Sequence, residues 1–208
     1  KIVKDITEKV DKKIKETTSM SIYDHLTISS LTDKYLISEG AYKGVYEITG
    51  NLREYVSKAV YGGRVSVNEK YCKKIVEGMI ADYDGVSLYP SAINRLCREK
   101  GVPMGKAVKM TLEDIENWKN MFYSIMTVRI TKVNKQQQMP FIAYKSDSSI
   151  MYLNEPPPEP IVIDSTTLED YIKFHHVEYE ILEGVAWNSG GNKKMGEVIK
   201  KLFDSRLF

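Results

Sequence analysis

The chain has 208 residues, 42% of them hydrophobic and 28% charged, and its formal net charge is +2. This balance is typical of a globular protein with a filled core, and it excludes a chain that is disordered throughout. No apolar run reaches the ~18–20 residues that cross a bilayer, and the charged N-terminus lacks the apolar core of a secretory signal. The only two cysteines form no CxxC pair, which disfavours structural zinc and a disulfide scaffold and indicates an intracellular protein with ordinary thiols.

The first third of the chain is predicted to be mainly helical. Apolar residues recur every three or four positions over 1–17, which predicts a surface helix docked by one stripe, with a solvated lysine face. The segment HLTISSLTDKYLI predicts a second helix, with Ser29 or Ser30 as its N-cap. Residues 51–60 form a short amphipathic segment.

A strand followed by a helix is predicted in the middle of the chain. The apolar segment IVEGMIADYD, residues 75–84, favours a strand that ends on a carboxylate. Pro90 fits the first turn of the next helix, where its missing N–H costs nothing, and Gly101 is expected to end that helix. Thr111 is expected to start another short helix, with Asp114 as an acid in its first turn.

The second half of the chain alternates strands with helices. Residues 121–133 predict a strand, and MPFIAYK with SIMYLN predicts a hairpin. A strand IVIDS, a helix capped by Thr166 or Thr167, a strand VEYEILEGVAWN and a last helix over 193–208 follow. The prediction is an α+β fold, an antiparallel sheet with flanking helices preceded by a helical segment. Because a helix is cut at each end, the chain is expected to be part of a longer protein.

The densest chemical signal is the segment DYDGVSLYPS, residues 82–91. The predicted strand delivers Asp84 to its end, and Gly85 lets the backbone turn tightly next to a ligand. A carboxylate beside free amides at a helix start suits a metal ion with a phosphate. Residue types alone favour the simpler alternative, a strand–turn–helix in which Asp84 caps the helix.

The pattern D-x-x-S-L-Y-P-S resembles motif A of the family B DNA polymerases, and the form DGVSLYPSAI is most similar to the protein-primed branch of phages, viruses and linear organellar plasmids. The resemblance implies a polymerase palm that adds deoxynucleotides to a primer 3′-hydroxyl with two Mg²⁺ ions, or Mn²⁺ in their place. Asp84 would be the catalytic metal ligand, and the Tyr89 ring would exclude a 2′-hydroxyl. The implied nucleotide-binding residues are Gly85, Ser87, Leu88, Tyr89 and Arg206.

A second matching stretch is VYGGR, residues 60–64. It resembles the Tyr-x-Gly-Gly linker between the exonuclease and polymerase domains of that branch, with Val60 in place of the tyrosine. The double glycine allows positive φ and close approach to a phosphate chain, and a tight hairpin turn is the alternative. The implied DNA-binding residues are Tyr61, Gly62, Gly63 and Arg64.

The ends of the chain carry weaker resemblances. Asp5 falls near the last metal-binding carboxylate of the exonuclease, in a Tyr-x-x-x-Asp pattern with Lys1 at the tyrosine; a solvated helix acid is the favoured alternative. The helix EVIKKLFDSRLF resembles the start of the fingers, where Arg206 would grip the triphosphate and Lys200 and Lys201 would be bystanders. The Lys-x-x-x-Asn-Ser-x-Tyr-Gly helix and the Asp-Thr-Asp strand of the family are absent, so half an active site is expected here.

The resemblance also implies an organisation and partners. Residues 1–58 would end the exonuclease region, 59–74 would be the linker, 75–192 the palm with insert-like strands, and 193–208 the first fingers helix. Expected partners are a DNA template-primer, deoxynucleoside triphosphates and a terminal-protein primer, with no membrane. The alternative from another class is a non-catalytic nucleic-acid-binding or interaction module derived from a polymerase.

Other candidate sites are weak. His175 and His176 are adjacent and cannot form an i,i+4 metal pair, so they are expected to be core or surface histidines. Trp118 and Trp187 are expected to anchor the core rather than stack on bases.

Overall fold

The structure, a computed structural model, describes residues 2–65, 71–85, 87–146 and 149–206, the last without its side chain. The α-helices of these residues are α1 (Ile2–Thr18), α2 (Ile28–Ser38), α3 (Gly50–Lys58), α4 (Leu88–Glu99), α5 (Leu112–Glu116), α6 (Ser165–Asp170) and α7 (Lys194–Arg206). Their strands are β1 (Val102–Pro103), β2 (Val108–Lys109), β3 (Tyr123–Val133), β4 (Ile142–Lys145), β5 (Ile150–Leu153), β6 (Ile161–Asp164), β7 (Val177–Trp187) and β8 (Gly191–Asn192).

The chain divides into two compact units. The helical unit comprises Lys1–Glu47, Ser87–Ala107 and Trp187–Phe208, and the sheet unit comprises Ile48–Val86 and Val108–Ala186. The mixture of helices with antiparallel strands confirms the predicted α+β fold.

The sheet unit is built on four strands in the order β2-β7-β3-β6. Side chains alternate along β3, so that Met126, Val128 and Ile130 are buried while Arg129 stays exposed. Helix α6 packs against β3 and β6, and α3 packs against β6. The core therefore lies on the face of the sheet that carries the buried side chains, as the alternation of apolar residues along the strands predicts.

A separate antiparallel hairpin, β4 with β5, belongs to the same unit. Its register pairs Ala143 with Tyr152 and Lys145 with Ile150. The hairpin is tied to the core because the Tyr171 hydroxyl accepts a hydrogen bond of 3.0 Å from the Ala143 N–H. The strand and hairpin predictions for 121–187 are confirmed over the residues described.

The helical unit centres on α4 and α7, which pack together. Gly196, near the start of α7, is so close to the end of α4 that an added Cβ would lie 3.0 Å from the Cys97 Cβ. At the opposite ends, Leu202 of α7 and Ser87 line one cavity. The two helices therefore run antiparallel.

The predicted strand over 75–84 is wrong. Residues 71–85 contain no strand and all of them are exposed, including Ile75 (93%) and Met79 (101%). A strand needs a neighbour for its backbone hydrogen bonds and a buried face for its apolar side chains. Neither is present for this segment among the described residues.

Two predicted helix caps are also wrong. Helix α2 is capped by Thr27, with Ser30 as the reciprocal residue of a capping box. Helix α6 begins after Asp164, whose carboxylate accepts from the Thr167 N–H. In both cases the predicted cap lies within the first turn of the helix, because several side chains that can accept a hydrogen bond stand together at each start.

Helix α1 is confirmed, but its predicted docking is not. Its apolar residues Val3 (77%) and Ile6 (55%) are exposed. Buried Asp11, in the middle of the helix, instead accepts a hydrogen bond from the Ser21 hydroxyl beyond the helix end and pairs with Lys15 at 2.7 Å. These partners lower the pKa of the Asp11 carboxyl, with the Lys15 contact the largest cause.

Candidate functional site

The start of α4 carries the first candidate site. Ser87 is the N-cap residue in the left-handed conformation (φ 48°, ψ 47°), and its hydroxyl makes no capping hydrogen bond. The next two residues, Leu88 (64%) and Tyr89 (69%), are exposed, and Pro90 has no N–H. Since first-turn amides have no acceptor within a helix, the N–H groups of Leu88 and Tyr89 are placed to bind an anion.

The end of α7 lies beside the start of α4. Phe203 and Leu202 near that end line a cavity of about 270 Å³ together with Ser87 and Pro90. Arg206 is the last residue of α7, and its side chain is outside the described part of the chain. The backbone thus brings the position of Arg206 to the helix start, while the role of its guanidinium stays a prediction.

The two lysines earlier in α7 are engaged within the chain. The Lys200 ammonium lies 2.6 Å from the Asp204 carboxylate. The Lys201 ammonium lies 5.4 Å from the Tyr35 ring centroid and 3.7 Å from Glu39. The Tyr35 side chain, which is the largest cause, and the nearby Glu39 raise the pKa of Lys201.

The candidate metal ligands do not belong to a group of metal-binding side chains among the described residues. Asp84 and Gly85 are exposed at the end of the irregular segment 71–85 in the sheet unit, and Asp5 is exposed on α1 in the helical unit. Among the described residues, no three His, Cys, Asp or Glu side chains are grouped to hold a metal ion. Asp84 offers hard oxygen donors that suit Mg²⁺, but only part of a coordination shell.

The candidate linker follows α3 in the sheet unit. Tyr61 is half-buried against the core, and this burial raises the pKa of its phenol. The Lys145 ammonium, at the end of β4, lies 4.7 Å from the Tyr61 ring centroid. It also donates hydrogen bonds to the carbonyl oxygens of Lys58 and Val60, the former at 3.4 Å.

Arg64 forms a second contact between the linker and the hairpin. Its guanidinium donates to the Pro140 carbonyl and lies with its Cζ 4.5 Å from the Tyr152 ring centroid. Arg64 itself is exposed. Among the residues that the structure describes, one N–H of the guanidinium is used in this way, and the exposed side chain has five N–H donors in all.

The backbone of Gly62 lacks the positive φ that the double glycine predicts. It does not adopt a left-handed φ, and an added Cβ would meet no described atom within 4 Å. Neither conformation nor packing within the described residues requires a glycine here. An exposed backbone without a Cβ is open to close approach by a ligand.

His175 and both tryptophans are core residues, as predicted. His175 is fully buried, its Nδ1 lies 3.0 Å from the Lys135 carbonyl oxygen, and burial lowers its pKa. Trp118 and Trp187 are buried. Both cysteines are free thiols.

Two residues at the linker were not found from the sequence, Lys145 and Tyr152. They lie on the two short strands of the hairpin, more than 80 residues from the linker they contact. No local pattern distinguishes them from other surface residues of a hairpin.

Comparison with known proteins identifies a family. A family model described as DNA polymerase type B, organellar and viral, matches residues 1–190. No curated protein matches the chain. None of the described helices is long and apolar enough to cross a bilayer.

Two solved structures share the fold. One is phi29 DNA polymerase complexed with primer-template DNA and incoming nucleotide substrates, with a TM-score of 0.59 and 21% identity over 86% of this chain and 32% of that chain. The other is an orthorhombic crystal form of phi29 DNA polymerase, with a TM-score of 0.55 and 19% identity over 85% and 34%. The chain spans about a third of the length of these polymerases.

Proposed function

The chain belongs to the type B DNA polymerases of organelles and viruses, and we propose that it forms part of an enzyme that adds deoxynucleotides to a primer 3′-hydroxyl on a DNA template. The observation that carries this proposal is the segment from Asp84 to Ser91, which has the motif A pattern inside a chain of this family. The exposed helix start at Ser87–Tyr89 supports it, because the incoming substrate carries a triphosphate.

The nucleotide is bound at the start of α4. The amides of Leu88 and Tyr89 and the positive end of the helix dipole attract phosphate oxygens. Arg206, at the end of the neighbouring α7, grips the triphosphate from the other side. The Tyr89 ring lies under the deoxyribose and leaves no room for a 2′-hydroxyl.

Asp84 and the carbonyl of Gly85 are the residues of this chain that would hold Mg²⁺, or Mn²⁺, which accepts the same oxygen donors. When bound, a pair of such ions stabilises the attacking and leaving oxygens of a phosphoryl transfer. The sequence contains no Asp-Thr-Asp segment. We propose that another segment of the polymerase supplies the second carboxylate, and we expect this chain alone to be inactive.

The linker from Tyr61 to Arg64 binds the DNA backbone. Gly62 lets the main chain approach phosphates, and Arg64 adds a charged donor. Asp5 on α1 is retained as a candidate exonuclease ligand. It is exposed, and it belongs to no group of three His, Cys, Asp or Glu side chains among the described residues that could hold a metal ion, so the structure gives it no support.

The same proposal fixes the organisation and partners of the protein. Residues 1–58 end an exonuclease region, 59–74 form the linker, 75–192 the palm and 193–208 the start of the fingers. The partners are template-primer DNA, deoxynucleoside triphosphates and a terminal protein that supplies the priming hydroxyl. The enzyme works inside the cell, where these substrates are found.

Replacing Tyr89 with alanine in the full-length enzyme relaxes discrimination against ribonucleotides by at least about tenfold, because the ring that meets the 2′-hydroxyl is lost. The measurement is the ratio of kcat/KM for a deoxynucleotide and its ribonucleotide. Tyr89→Phe keeps the ring and keeps the ratio. Tyr83→Ala, at another exposed tyrosine, is the matched control. An unchanged ratio in Tyr89→Ala excludes this role.

Replacing Gly62 with alanine weakens binding of template-primer DNA by about tenfold but changes the free energy of unfolding by less than about 0.5 kcal/mol. The folded chain accommodates the methyl group, whereas a phosphate in contact with the backbone does not. DNA affinity and urea unfolding of the same variant are compared. Loss of stability, or DNA affinity equal to wild type, contradicts the assignment.

A further inference from the structure

The linker is fastened to the β4–β5 hairpin at two points. Lys145 reaches the carbonyl oxygens of Lys58 and Val60 and covers the Tyr61 ring. Arg64 reaches across to Tyr152 and the Pro140 carbonyl. The contacts lie at either end of the four residues proposed to bind DNA, so both ends of that short segment are fixed.

Strand geometry explains why both partners face the linker. Ala143 and Tyr152 are directly paired across the hairpin, and Lys145 lies two residues beyond Ala143 on the same strand. Since side chains alternate along a strand, these three share one face of the hairpin. One face therefore presents an ammonium and an aromatic ring to the linker.

The hairpin itself is a fixed support. The Tyr171 hydroxyl, in the buried core, accepts from the Ala143 N–H at 3.0 Å. Just before β4, the Phe141 ring packs 4.4 Å from the ring of buried His175, centroid to centroid. A linker attached to this hairpin is held relative to the core of the sheet unit.

The chemistry of Lys145 at this place is specific. The carbonyls of Lys58 and Val60 lie at the C-terminal end of α3, where the last carbonyl groups have no intrahelical partner and the helix dipole is negative. An ammonium donates to these carbonyls and stabilises the dipole, and an apolar side chain of similar length does neither. Its position over the Tyr61 ring adds a cation–π contact.

We infer that Lys145 and Tyr152 are positioning residues, which do not contact DNA but hold the linker from Tyr61 to Arg64 in the conformation that binds it. The inference rests on the proposed function for the meaning of that conformation. Holding a binding segment in place before the ligand arrives removes an entropic cost from binding. Tyr152 orients the Arg64 guanidinium, and Lys145 fixes the backbone from which the segment starts.

The test uses the full-length enzyme with Lys145→Met, which keeps the stem and removes the charge, and Lys145→Arg, which keeps the charge. Lys109→Met removes one exposed lysine from β2 and serves as the matched control. Three quantities are measured: the dissociation constant of a primer-template duplex, its dependence on salt, and the rate of tryptic cleavage after Arg64. Tyr152→Leu is examined in the same way.

We expect Lys145→Met to weaken duplex binding by about tenfold and to speed cleavage after Arg64, with Lys145→Arg restoring both and Lys109→Met changing neither. The slope of log Kd against log salt stays at its wild-type value, because no phosphate contact is lost. We expect Tyr152→Leu also to weaken duplex binding and to speed cleavage after Arg64.

Two results would overturn the inference. A salt slope that falls by about 0.9 with unchanged cleavage shows that Lys145 contacts a phosphate directly. Unchanged affinity and unchanged cleavage show that the hairpin does not hold the linker. If the wild-type enzyme neither binds nor extends a primer-template, the proposed function fails, whereas the cleavage rates still test the attachment of the linker.

Discussion

Replacing Asp84 with asparagine in the full-length enzyme abolishes primer extension, with a loss of at least about a thousandfold in kcat. Asparagine keeps the size of the side chain but removes the negative charge that binds a divalent cation. Stabilisation of the transition state by a bound metal is worth several kcal/mol, and each 1.36 kcal/mol is tenfold in rate. Binding of template-primer DNA is retained, since the linker residues are untouched.

Asp82 provides the matched control for this experiment. It is an exposed carboxylate two residues before Asp84 in the same irregular segment. Asp82→Asn removes the same charge from the same region and is expected to leave extension within about twofold of wild type. Extension by Asp84→Asn at a tenth of the wild-type rate or more rules out Asp84 as a metal ligand.

Measurements of primer extension and DNA binding also distinguish the two hypotheses for function, a polymerase and a non-catalytic binding module. A non-catalytic module binds DNA in a salt-dependent way without any requirement for metal or nucleotide. If the wild-type full-length protein binds primer-template but shows no extension with Mg²⁺ or Mn²⁺, the binding module becomes the better description.

Replacing Gly101 with alanine destabilises the protein by more than about 2 kcal/mol. Gly101 ends α4 with φ +90°, a conformation that side chains rarely adopt. An added Cβ would lie 2.8 Å from the Gly191 carbonyl carbon and 3.0 Å from the Asn192 backbone. Because the obstacle is main chain rather than a flexible side chain, β1 and β8 must separate to admit the methyl group.

Gly40 provides a control that separates the cost of a positive φ from the cost of a close contact with the main chain. It has φ +77°, but an added Cβ there meets no described atom within 4 Å. Gly40→Ala therefore incurs only the conformational cost, about 1 kcal/mol. The free energy of unfolding is measured by urea denaturation for both variants. Equal losses for the two show that the close approach to Gly191 and Asn192 is not a source of strain.

Local signals in the sequence located most elements of the fold. Thr111 with Asp114 predicts a helix start, and the structure has a full capping box there. Alternating β-branched residues predict β3, and Gly101 with Pro90 marks the limits of α4. Each of these depends on residues within one or two turns of each other, so the sequence contains the whole cause.

Local signals failed where several residues offer the same chemistry or where a partner is distant. The local pattern predicts Ser29 or Ser30 as the cap of α2, whereas Thr27 is the cap, because all three residues have hydroxyls. The segment 75–84 has the composition of a strand, but composition cannot supply the neighbouring strand that its backbone requires.

The sequence by itself determined the chemical character of this protein: a carboxylate, a turn and a helix start in the order of a polymerase motif. Only the tertiary structure decided that the end of α7 lies beside the start of α4, and that Lys145 and Tyr152 contact a segment more than 80 residues away. The physical reason is that a motif is a local arrangement of backbone and side chains, whereas these contacts depend on how distant elements pack. Packing is set by the shape and burial of the whole core, which no short segment specifies.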